Sequence, residues 1–180
     1  MPGGILGSRR RRIWHSSKST CFRKKTDLNE EQALAAGLSG ELTPSGHRLP
    51  ARVYYADTDF SGLVYHARYL EFLERGRSDY LRLAGVRHTE LMEGMRGEQI
   101  VWVVRRMEID FVRPARMDDV LVVETRTERI SGARIFMAQE IRRGDETLIR
   151  AKVEAAIIDT NGRPKRFPAE WIAAFIPPEA

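Results

Sequence analysis

The chain has a single cysteine, Cys21, among its 180 residues. An intramolecular disulfide framework is therefore excluded, and a reducing compartment such as the cytoplasm is expected. It has no apolar run near the roughly 20 residues that a membrane span needs. It also lacks the apolar core of about 7–15 residues that marks a secretory signal. There is no G-x-S-x-G elbow, so a serine hydrolase of that kind is excluded. His15, His47, His66 and His88 show neither H-x3-5-H nor H-E-x-x-H spacing, so no metal site is expected. No glycine-rich loop follows a strand and opens a helix, which removes the usual phosphate cradle. Neither metal nor cofactor is expected.

Acid is absent from residues 1–26, which hold eight basic residues, among them the run Arg9–Arg12. The whole chain has 30 Lys and Arg against 25 Asp and Glu, a net charge of +5. The basic balance therefore belongs to this amino-terminal stretch, and the remainder is mildly acidic. No nucleic-acid partner is expected for the folded part. Residues 1–46 read as a basic, disordered extension with weak apolar patterning. Its composition also fits a transit peptide or an arm for anionic partners. Asn29–Leu38 has the pattern of a short helix. Residues 47–176 form one domain and 177–180 a short tail. An apolar content of 42% is enough for a core.

What the chain does have is concentrated in Arg52–Leu83. A strand-like run, Arg52–Tyr55, leads into a polar corner, Asp57-Thr58-Asp59, and then Gly62. From there Tyr65, Tyr69, Phe72, Leu73, Gly76, Tyr80, Leu83 and Ala84 trace one face of a long helix. Leu63, Leu70 and Leu81 widen that face, so burial on more than one side is expected. Gly76 costs the helix about 1 kcal/mol relative to Ala, which a close approach to another backbone would explain. Read from spacing alone, Asp59 is a helix N-cap. Asp57 reads as a turn residue bonding its own backbone.

Beyond Gly94 the period changes to two. Val101, Val103, Met107, Ile109 and Phe111 fall on one face, which Arg105 interrupts. Leu121, Val123 and Thr125 alternate with Val120, Val122 and Glu124. Ala133 to Ile141 and Thr147 to Ile157 form two further alternations, with turns at Gly132, Arg143-Gly144-Asp145 and Asn161-Gly162. Long strands joined by short turns imply an antiparallel sheet. The expected architecture is α+β, with one long central helix packed on a curved antiparallel sheet. Pro168–Phe175 reads as a capping helix with proline at its start.

These stretches resemble the hotdog-fold acyl-CoA thioesterases of the 4-hydroxybenzoyl-CoA thioesterase class, most closely the Tol–Pal-associated, YbgC-type branch. The likeness rests on Val53-Tyr54-Tyr55, Asp57-Thr58-Asp59, Gly62, Val64-Tyr65-His66, Tyr69-Leu70, and Glu74-Arg75 with Arg77. A second signature, Asp110–Ala115 with Asp118 and Leu121, follows. The resemblance implies a hotdog fold and hydrolysis of an acyl thioester to free acid and thiol. It implies that Asp59 is catalytic and that the backbone N–H of His66 polarises the thioester carbonyl. Gly62 and Tyr65 are expected to contact the substrate. It further implies an acyl-CoA or acyl carrier protein substrate, a homodimer or homotetramer with the site between protomers, and a Tol–Pal envelope association.

Elimination points the same way, since a carboxylate is the simplest group left for the chemistry. Asp59 would attack the carbonyl or act as general base toward water. The His66 side chain reads as a helix-surface or interface group, and Glu74 as structural. Arg113 reads either as a contact to coenzyme A phosphates or as a solvated rim residue. The rival reading is a non-catalytic hotdog module that binds acyl-CoA, acyl carrier protein or an envelope-associated partner.

Overall fold

The structure is a computed structural model, and it describes residues 37–94 and 99–175. Six strands form one antiparallel sheet: β1 (Glu41–Thr43), β2 (Gly46–Arg52), β3 (Ile100–Phe111), β4 (Val120–Ser131), β5 (Arg134–Arg143) and β6 (Glu146–Asp159). The order across the sheet is β1-β2-β4-β5-β6-β3. Helix α1 (His66–Leu83) lies across β2 and β4, α2 (His88–Met92) follows it, and α3 (Ala169–Phe175) closes the far end. The sheet thus begins at Glu41, inside the stretch assigned to the basic extension. The Asn29–Leu38 helix lies almost wholly outside the described residues.

The helix buries one stripe: Tyr69, Phe72, Leu73, Gly76, Tyr80 and Leu81. Leu70 is exposed, so burial on a second side is limited to Leu81. Under its first half, Tyr69, Phe72 and Leu73 pack on Leu121, Val123, Ile141 and Ile149. Under its second half, Tyr80 and Leu81 pack on Ile135, Met137 and Ile157, with Trp171 and Phe175 of α3. Burying each such large side chain stabilises the fold by about 1.5–3 kcal/mol.

Between the two clusters sits a buried polar joint. The Gln139 amide donates to the Leu73 carbonyl at 2.9 Å and to Thr125 Oγ1 at 2.8 Å, and accepts from Arg77 at 2.8 Å. Gly76 makes room for this joint. A Cβ there would stand 2.7 Å from Val123 Cγ1 and 3.2 Å from Thr125 Oγ1. The close neighbours are side chains of the sheet rather than another backbone.

The face assignment of β3 needs correction. The ladder with β6 pairs Val104 with Ala155 and Arg106 with Glu154, leaving Arg105 as an extra residue. Such a bulge reverses the alternation on one side of itself. Trp102 and Val104 therefore share the helix-facing side with Met107 and Ile109, while Val101 and Val103 face outward. No helix among the described residues is long and apolar enough to cross a membrane.

Candidate active site

Asp59 opens a four-residue turn, Asp59-Phe60-Ser61-Gly62. The Gly62 N–H donates to the Asp59 carbonyl at 3.0 Å, and Gly62 has φ +73°. Asp in first place and Gly in fourth are residues that such turns favour. The turn closes a small hairpin: the Asp59 N–H donates to the Leu63 carbonyl, and the Tyr65 N–H to the Asp57 carbonyl, both at 3.0 Å. The next residue, His66, is the first of α1. The hairpin thus ties the acidic corner to the helix start.

The Asp59 carboxylate accepts the Ser61 N–H at 2.8 Å and the Ser61 hydroxyl at 2.5 Å, both on Oδ1. These two bonds, the hydroxyl's first, hold its pKa below the ordinary carboxylate range. It is ionised at neutral pH. Oδ2 accepts from no described residue. Asp59 is exposed in the single chain, as are Tyr55 and Phe60 around it.

The helix start offers the complementary charge. Tyr65 is the N-cap, and no side chain caps α1. Among the described residues none accepts from the His66 N–H. Unpaired N–H groups at a helix start present a partial positive charge to an incoming oxygen. The His66 ring leans on Tyr65, centroids 4.4 Å apart, and stands edge-on to Phe111 at 6.4 Å.

The two sequence signatures meet here. The Val64 N–H donates to the Ala115 carbonyl at 2.9 Å, and the Ala115 N–H donates to the Tyr69 hydroxyl at 2.8 Å. Val53 and the Asp118-Asp119 pair exchange backbone bonds at 2.9 and 3.0 Å. The connection between β3 and β4 therefore braces the Asp59 hairpin from behind.

One expectation changes on this geometry, and the readings of Asp57 and Glu74 hold. Asp59 does not cap α1. Asp57 is a turn residue, its Oδ2 accepting the Tyr54 N–H at 2.8 Å. Glu74 accepts from the Ser78 hydroxyl at 2.6 Å, a structural role. Arg113 pairs with Glu146 at 2.7 Å and stays largely exposed, as a rim residue does. Gly62 supplies a turn conformation that side chains rarely adopt. Ser61 was missed, although Asp with a hydroxyl residue two places on is a known local bonding pattern.

The Thioesterase superfamily profile matches residues 61–150. The chain is 42% identical over 135 residues to the acyl-CoA thioesterase YbgC of Haemophilus influenzae, covering 74% of this chain and 97% of that one. It is 35% identical over 130 residues to the acyl-CoA thioester hydrolase YbgC of Escherichia coli, covering 71% and 94%. Among solved structures, a probable thioesterase from Bartonella henselae superposes with a TM-score of 0.67 at 55% identity, covering 69% of this chain and all of that one. An antiparallel sheet packed on one long helix, with these relatives, makes the chain a hotdog-fold member of the thioesterase superfamily, in its YbgC-type branch.

Proposed function

We propose that the chain is an acyl-CoA thioesterase that works through the Asp59 carboxylate and the amide end of α1. The thioester carbonyl oxygen sits at the His66 N–H, where developing negative charge is stabilised. Asp59 then acts in one of two ways. As nucleophile, it bonds to the carbonyl carbon, the C–S bond breaks, and water cleaves the resulting mixed anhydride to free acid. As general base, it takes a proton from water, which attacks the same carbon, and the thiolate leaves to be protonated. Both routes give free acid and thiol. Tyr65 and the Gly62 turn line the approach.

The observation that carries this reading is the hairpin: it ties an ionised carboxylate, one oxygen of which accepts from no described residue, to a helix start whose first N–H has no acceptor among the described residues. The exposure of Asp59 in one chain supports a site completed by a second copy. β3 supports the same point, as a 12-residue strand that among the described residues has a partner only on its β6 side. Long edges of this kind are usually covered. Val104 and Phe111 stand exposed on its helix-facing side. The reading is a cytoplasmic homo-oligomer acting on coenzyme A or acyl carrier protein thioesters, and by resemblance near the Tol–Pal envelope system. Thiol release across short, long and aromatic acyl-CoA esters tests it. Turnover of at least one class, with free acid as product, is expected. Binding without thiol release from any of them would favour the non-catalytic module instead.

A further inference from the structure

The outer face of the sheet, turned away from α1, carries a cavity of about 800 Å³ at the Gly132 end. That is within the usual range of small-molecule sites, roughly 300–1,000 Å³. Its floor is apolar, built from Val103, Ala156 and Ile158 with Pro164 beside them. Arg105, Arg129 and Arg134 also line it.

Two bulges set this arginine rim. In β3 the extra residue is Arg105 itself. In β4 the ladder passes from Thr127 opposite Met137 to Arg129 opposite Phe136, leaving Glu128 extra. Met137 faces the helix, so a regular ladder would put Glu128 beside Phe136 and turn Arg129 inward. The bulge exchanges an acid for a guanidinium at the cavity wall. Bulges recur where a strand re-aims a side chain for a purpose.

Charge balance separates this cavity from its neighbour. On the same outer face, the cavity beside β2 has its three arginines matched: Arg48 with Glu124 at 3.1 Å, Arg126 with Glu128 at 3.8 Å and Arg142 with Glu140 at 3.4 Å. Here Glu154 alone serves both Arg105, at 3.5 Å, and Arg134, at 3.3 Å. Arg129 has no acidic partner among the described residues. It lies over the Phe136 ring at 3.6 Å, pre-ordered and still a full donor.

We propose that this cavity binds a nucleotide, its phosphates on Arg105, Arg129 and Arg134 and its base on the Val103–Ala156–Ile158 floor. Guanidinium forks match phosphate oxygens, and a flat apolar floor suits a base. The nucleotide is either free or the nucleotide end of coenzyme A. The inference does not depend on Asp59.

Calorimetric titration of the full chain with ADP, inorganic phosphate and coenzyme A tests this. ADP is expected to bind more tightly than phosphate and to weaken with salt. The Arg129→Gln/Arg134→Gln double variant should lose at least about tenfold in ADP affinity, since a charge-assisted contact is worth about that much. Its thermal transition should match wild type, and the two single variants serve if it does not. If coenzyme A affinity falls with that of ADP, the occupant is the thiol carrier; if only ADP weakens, it is a free nucleotide. Absence of ADP binding at millimolar concentration, or equal binding by the variants, would overturn the site. Asp59→Asn should keep ADP binding while losing turnover, so the two proposals fail separately.

Discussion

Ser61 orients the Asp59 carboxylate and lowers its pKa. Ser61 fixes Oδ1 through its N–H and its hydroxyl, leaving Oδ2 open. The same bonds lower the pKa, and the hydroxyl is the larger cause. The ionised form is the working form, so activity is retained above the folded-state pKa and lost as pH falls through it. In the wild type that acid limb lies below the ordinary aspartate value of about 3.9. Ser61→Ala removes the larger cause and should move the limb upward toward that value. Little change is expected at pH 7, where both forms are ionised. A profile of kcat/KM from pH 3.5 to 7 checks this, and an unmoved limb would show that Ser61 does not set the charge. The residue types were legible in the sequence. The Asp59–Ser61 bond was not, because the reading of Asp59 as a helix cap competed for the same carboxylate.

At the scale of elements, α1 and the sheet fit each other at Gly76. Replacing it with Ala gains about 1 kcal/mol in helix propensity. The new Cβ stands 2.7 Å from Val123 Cγ1, and overpacking of that kind costs about 1–3 kcal/mol. A net loss of about 1 kcal/mol is expected, read as a lower urea midpoint with an unchanged slope. Greater stability would mean that the helix stands off the sheet. That Gly76 marks a close approach was legible from its cost to the helix; that the approach is to side chains of the sheet, and not to another backbone, was not. The stripe Tyr69, Phe72, Leu73, Gly76, Tyr80 was legible through its period. The upstream face of β3 was not, since one extra residue at Arg105 inverts the alternation and only the pairing with β6 records it. The Glu128 bulge in β4 was hidden for the same reason.

At the scale of the whole molecule, the amino-terminal stretch divides by function. Removing residues 1–36 takes away the Arg9–Arg12 run and no described element. Activity within a few-fold of the full chain is expected. Removing residues 1–45 also takes β1 and the Gly40 N–H, which Asp79 accepts at 2.7 Å while holding buried His47 at 2.9 Å. Leaving that carboxylate one donor short should cost about 1–3 kcal/mol. Thermal unfolding of the two truncations separates these outcomes, and equal stability would mean that β1 adds nothing. The fold itself follows from periods and turns. The proposed site does not, because Asp59 is exposed on the surface of one chain and spacing alone says nothing of what covers it.

Turnover of an acyl-CoA ester by Asp59→Asn, compared with wild type at equal oligomeric state, tests the central claim most directly. The substitution keeps size and removes the charge, so kcat should fall by about 10²–10⁴, with the oligomer and the fold intact. A kcat within a few-fold of wild type would contradict the assignment of the chemistry to this carboxylate.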